Sequence, residues 1–147
     1  MTEIDFHFNA PDKVSHACRL LRKAVAVHGT QLVVTGDAAD LDAVDAALWQ
    51  MAPRDFIAHC QDGSDAHVAQ RSPVLLTLTP GIRLTPQRPV LVNLGDEVPD
   101  GFERFDRLIE IVTGQEDDRL VARRRWRHYA DRGYAIQRHD LVQANNR

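Results

Sequence analysis

The sequence predicts a three-layer α/β/α fold around a largely parallel or mixed central sheet, and three observations predict it. Strand-like apolar runs alternate with helical periodicity in the order strand, helix, strand, helix from the first residues onward. Each return to a parallel neighbour needs a crossover about a helix long, so helices fall across the faces of the sheet. The second half adds further strand-like runs to that sheet. Finally, 147 residues without a repeat, a low-complexity stretch or an interdomain linker predict a single domain, residues 1–147, with one sizeable core.

IDFHF (4–8) alternates apolar with polar residues and predicts the first strand. Asn9 or Asp12 caps a helix that tolerates Pro11 in its first turn. Val14, Ala17, Cys18, Leu21, Ala24 and Val25 form its buried stripe, and Gly29 ends it. QLVVT (31–35) is a short apolar strand, and GDAAD leads into a second helix whose Leu41, Val44 and Leu48 recur at core spacing. DFIAHC (55–60), PVLLTL (73–78), PVLVNL (89–94) and RLIEIV (107–112) are further strands, separated by segments that hold most of the prolines. QEDDRLVARRRWRHYADRG is the last long helix, opening on acids that suit an N-terminus and closing at Gly133. YAIQ (134–137) follows as a final strand.

Apolar residues at 44% and charged residues at 27% are the balance of a soluble globular protein. No apolar run approaches the roughly 18 residues of a membrane span. MTEIDFHFNA carries Glu3 and Asp5 where a secretory signal needs a basic start, so the cytoplasm is the expected compartment. There, Cys18 and Cys60 read as two buried thiols and not as a disulfide.

Several chemistries lack their motifs. VVTGDAAD has one glycine where a dinucleotide fingerprint needs three and a phosphate loop needs a second glycine and a lysine. No cofactor is expected on that ground. His16 with Cys18, His59 with Cys60, and Asp65 with His67 are separate pairs without zinc spacing, so no metal is expected either. Ser15, Ser64 and Ser72 have no nucleophile elbow around them, and the acids of DGFERFD (100–106) read as a solvated turn. No catalytic residue is identified.

What remains is RLVARRRWRHYADRGY (119–134), six arginines against one aspartate in a chain of net charge −3. At helical spacing Arg119, Arg123, Trp126, Arg127 and Ala130 share one face. The bland alternative has Trp126, Ala122 and Tyr129 facing the core while the arginines are solvated. Residues 95–118 hold nine acids and two bases, and such segregation along the chain favours a cationic patch that attracts an anion. Arginine, at 16 residues against two lysines, offers a planar fork for carboxylate or phosphate. Single-stranded nucleic acid is one candidate anion for such a patch, but the acidity of the whole chain argues against tight nucleic-acid binding.

The run VDAALWQMAPRDFIAHC, then RPVLVNL, FERFDRLIEIV and ARRRWRHYADRGY, resembles the chi subunit of bacterial DNA polymerase III, an accessory protein of the clamp loader. The similarity extends through essentially the whole chain in order, although Ala58 and the segment TLTPGIRLTPQ depart from the family's pattern. The resemblance implies a fold like that of nucleotide-binding proteins, not known for catalysis. It also implies two partners: the psi subunit, and the acidic, phenylalanine-ended tail of single-stranded DNA-binding protein. By position it assigns the tail site to Trp49, Phe56, Val112, Arg119, Arg123, Trp126 and Arg127.

Overall fold

The computed structural model of the protein describes residues 1–50, 58–61, 72–80 and 89–142. Among the described residues the α-helices and strands run β1 (Glu3–Ala10), α1 (Lys13–Arg22), β2 (Leu32–Thr35), α2 (Ala38–Trp49), β3 (His59–Gln61), β4 (Val74–Leu76), β5 (Val90–Asn93), β6 (Arg107–Thr113), α3 (Glu116–Asp131) and β7 (Ile136–Asp140). The strands form one sheet in the order β3-β4-β2-β5-β6-β1-β7. Every pairing among the described strands is parallel, so the mixed alternative falls away.

Alternation along the strands makes two cores. Ile109 and Ile111 of β6 point to one face, where α1 and α2 deliver Ala17, Cys18, Leu21, Leu41, Val44 and Leu48. Leu108 and Val112 point to the other, where α3 delivers Ala122 and Tyr129. The two cysteines are free thiols, one in each core, so the sheet itself keeps them apart.

Local details differ from the pattern in the sequence for physical reasons. Asp12, not Asn9, caps α1, accepting from the Ser15 amide at 3.2 Å. Ala24 and Val25 continue that helix as a π-helical turn, Lys23–Val27. The last strand begins at Ile136 because Tyr134 belongs to the end of α3. Its amide donates to Tyr129 O, that of Gly133 donates to Ala130 O, and Gly133 takes φ 81. This is a Schellman cap, which a residue with a Cβ resists. Of the strand expected over 55–60, residues 55–57 lie outside the described ones.

β6 carries one residue that a core strand avoids. Glu110 is fully buried, and α3 sends in Arg125, 2% exposed, to meet it with Nε to Oε1 at 3.0 Å. Tyr129 Oη donates to Oε2 at 2.5 Å, and Asn93 Nδ2 to Oε1 at 2.9 Å. Burial pushes the Glu110 carboxyl above its ordinary range, against the pull of Arg125, Tyr129 and Asn93. Burial and the adjoining carboxylate likewise push the Tyr129 hydroxyl up. Arg125 Nη1 donates to Asp96 O at 2.9 Å, which ties the loop after β5 to α3. Nη2 has no partner among the described residues.

Two expectations follow. Arg125→Ala leaves a buried carboxylate unpaired and should cost about 3–5 kcal/mol in urea unfolding. Exposed Arg124→Ala should stay within about 0.5 kcal/mol. His7, hydrogen-bonded to His16 at 2.9 Å and edge-to-face with the His139 ring at 4.8 Å, has its pKa lowered to about 4, first by burial and then by His16, His139 and Arg107. Its unfolded form therefore binds the proton more readily, so stability should fall as pH drops from about 6.5 toward 4. His7→Gln should flatten that part of a pH-dependent unfolding series.

Candidate functional site

In parallel α/β sheets the usual ligand position is the crevice beyond the carboxyl ends of the strands, where the direction of the connections changes. Here that crevice, about 700 Å³, lies beyond β2 and β5. Gly36 is needed there for close approach, since a Cβ on it would come within 3.1 Å of Leu94 Cβ. Its walls include Asp37, Asp96, Glu97 and Asp100. The Asp37 carboxylate already caps α2, accepting from the Asp40 amide at 2.9 Å, where a phosphate would sit in a nucleotide-binding relative of the fold. Burial, followed by the Asp37 charge, pushes the Asp40 carboxyl up. The crevice repels further anions.

The opposite electrostatics occur on α3. A cleft of about 420 Å³ opens between Arg119, Ala122, Arg123 and Trp126 of the helix and the ends of β1 and β7. From the strands come Phe8, Asn9, Arg138 and Asp140. Trp126 is half-buried, tilted against Phe6 at 5.0 Å and Phe8 at 6.1 Å between ring centroids. The Arg138 guanidinium lies over Phe8 at 5.1 Å and over Trp126 at 5.9 Å. Among the described residues, Arg119, Arg123 and Arg127 make no ion pair. The N-terminal acids of α3 do not neutralise them: Asp118 instead takes Lys13 at 3.1 Å and the Thr113 amide at 2.8 Å. Burial raises the Asp118 pKa, but these bonds outweigh it and hold the carboxyl below its ordinary range.

Arg119, Arg123 and Trp126 are thus brought together. Both readings of the helix hold in part, because Trp126 stands at the border between the stripe of Ala122, Arg125 and Tyr129 and the solvated arginines. Val112 lies fully buried in the same core cluster as Ala122, with Trp126 packed against that cluster. Arg127 is exposed on the helix but outside the cleft lining. Trp49 does not join them. It ends α2, 64% exposed, with its ring 5.3 Å from that of His59 on the edge strand β3. β3 is five strand positions from β1, roughly 24 Å at about 4.8 Å per step, and α2 packs on the other face. Trp49 is accordingly absent from the lining of the cleft that holds Trp126. Phe56 lies outside the described residues.

Arg125, Phe8 and Arg138 were missed by the helical reading of the sequence. Arg125 had a signal, since it falls on the Ala122–Tyr129 stripe while Glu110 interrupts an apolar strand. Arg138 had none, because its place depends on β7 pairing with β1 from the other end of the chain.

The family model for the DNA polymerase III chi subunit, HolC, matches residues 1–137. The chain belongs to the chi-subunit family of DNA polymerase III. A chi subunit from Pseudomonas aeruginosa is 32% identical over 148 residues, covering 96% of this chain and 98% of the relative. Another, from Haemophilus influenzae, is 27% identical over 93 residues, 63% of this chain and 62% of the relative. As a family member the chain is an accessory subunit of the replisome. In fold it is similar to the C-terminal domain of the DEAD-box protein Dbp5, with a TM-score of 0.61 at 10% identity, over 96% of this chain and 92% of that one. It is also similar to the Pyrococcus furiosus Hef helicase domain, with a TM-score of 0.55 at 14% identity over 77% of this chain and 28% of that one. Among the described residues no helix is long and apolar enough to cross a membrane, and no three His, Cys, Asp or Glu side chains are grouped to hold a metal ion.

The acidic crevice yields a direct test of the fold analogy. ATP, GTP and NAD at millimolar concentration should give no saturable heat in calorimetric titration, and a saturable isotherm would restore the nucleotide reading.

Proposed function

We propose that this chi-family subunit is a non-catalytic adaptor that links the clamp loader, through psi, to the acidic C-terminal tail of single-stranded DNA-binding protein. One observation carries the reading: arginines without carboxylate partners among the described residues surround an aromatic floor in a cleft of about 420 Å³. An acidic tail ending in phenylalanine needs both parts. Burial of its ring against Trp126 is worth roughly 1.5–3 kcal/mol, and each charge-assisted bond from Arg119 or Arg123 is worth a similar amount. Arg127 extends the cationic face along the helix, and Val112 supports the floor from the core. The proposed seat leaves out Trp49, which is exposed at the end of α2 beside His59 of the edge strand β3.

The same arginines with Trp126 would also suit single-stranded nucleic acid. Against that, the cationic surface is one short cleft and not a groove that tracks a backbone, and strong binding at physiological salt needs several phosphate contacts.

Titration of the tail peptide should quench or shift the fluorescence of Trp126, and Trp49→Phe should leave the response intact. Arg123→Ala should weaken binding about tenfold or more, and Arg123→Glu more still. Arg22→Ala, exposed on α1, should not change it. Removing the tail's terminal phenylalanine should remove most of the affinity that persists in high salt. Wild-type binding by Arg123→Glu, or tight binding of bare single-stranded DNA at physiological salt, would overturn the assignment.

A further inference from the structure

β1 is not regular where it reaches the cleft. His7 pairs with Ile111 and Ala10 with Thr113 of β6, so β1 holds one residue more than its partner across that interval. Asn9 within it takes φ 62, in the left-handed region where a non-glycine residue is uncommon. Such bulges bend a strand and re-aim its side chains, and they recur beside functional sites. This one delivers Phe8 and Asn9 to the cleft wall. Asn9 Nδ2 donates to Asp140 Oδ1 at 3.0 Å, and the Val142 amide donates to the same oxygen at 3.0 Å. The bulge and the end of β7 are thereby fastened together.

Arg138 stands on the β7 side of that fastening, across the cleft from Arg119 and Arg123. Its guanidinium lies over the Phe8 and Trp126 rings at 5.1 and 5.9 Å. A cation held over ring faces is attracted to them without using its N–H donors, and among the described residues no hydrogen bond or ion pair engages those of Arg138, so they remain available for a carboxylate. The rings also fix the side chain in advance, which lowers the entropy that a long arginine loses on binding. The geometry points to Arg138 as the receptor for the α-carboxylate that ends the bound peptide, with Arg119 and Arg123 left to hold its acidic side chains. The inference rests on reading this cleft as the tail site, and assigns that site a second wall, built by the β1 bulge and β7, that chooses a free chain end over an internal acidic segment.

The test uses the full-length protein and a synthetic acidic decapeptide ending in phenylalanine, made once as the free acid and once as the C-terminal amide. Wild type should bind the acid at least tenfold more tightly than the amide. Arg138→Ala should bind the two alike, at about the affinity of wild type for the amide. Arg138→Lys, which keeps the charge without the stacked fork, should recover only part of the preference. Circular dichroism should show both variants folded, since Arg138 is exposed. Full retention of the acid preference in Arg138→Ala would overturn this assignment while leaving the tail site standing. Equal losses for acid and amide would reduce Arg138 to a general charge and overturn it too. If wild type binds neither peptide, the reading of the cleft falls, and this inference with it.

Discussion

The pairing of Glu110 with Arg125 is the constraint on which the placement of α3 depends. A carboxylate buried in the middle of β6 has a strong demand for donors, and the helix meets it with one arginine and one tyrosine a turn apart. Two anchored residues on one helix leave little freedom to roll or slide. Once they face the sheet, the 3.6-residue period places Trp126 at the edge of the core and Arg119 and Arg123 over the ends of β1 and β7. A cationic cleft on the surface therefore follows from a buried ion pair beneath it. The same network reaches Asn93 and the Asp96 carbonyl, so the acidic loop beyond β5 shares the anchor with the basic helix.

That linkage separates the two signs of charge in space. Most acids of residues 95–118 go to the switch-point crevice in the middle of the sheet, to the start of α3 and to the buried Glu110 pair, while arginines keep the cleft at the β1–β7 edge. Domains in helicases share this architecture, yet the position where such folds take phosphate is here capped by a carboxylate and lined by more. Architecture alone is a poor guide to chemistry for this reason: the scaffold fixes where a cleft opens, and the side chains at its rim decide what enters.

The sequence by itself determined the α/β class, the order of the elements and most of their core faces. These rest on short-range periodicity, and Ala17, Leu21, Leu41, Val44 and Leu48 all point inward as their spacing requires. The arginine face of α3 was legible for the same reason, and so was the chi-family likeness carried by its motifs. Tertiary structure alone decided what stands opposite that face. Strand order cannot be read from one strand at a time, so nothing local showed that β7 pairs with β1, that Arg138 would lie on Phe8, or that Trp49 would go to the far edge of the sheet. Charge count likewise made Arg125 one of six arginines in one stretch; its place on the Ala122–Tyr129 stripe was a local hint, but its pairing with buried Glu110, 15 residues away on another element, was decided by the tertiary structure.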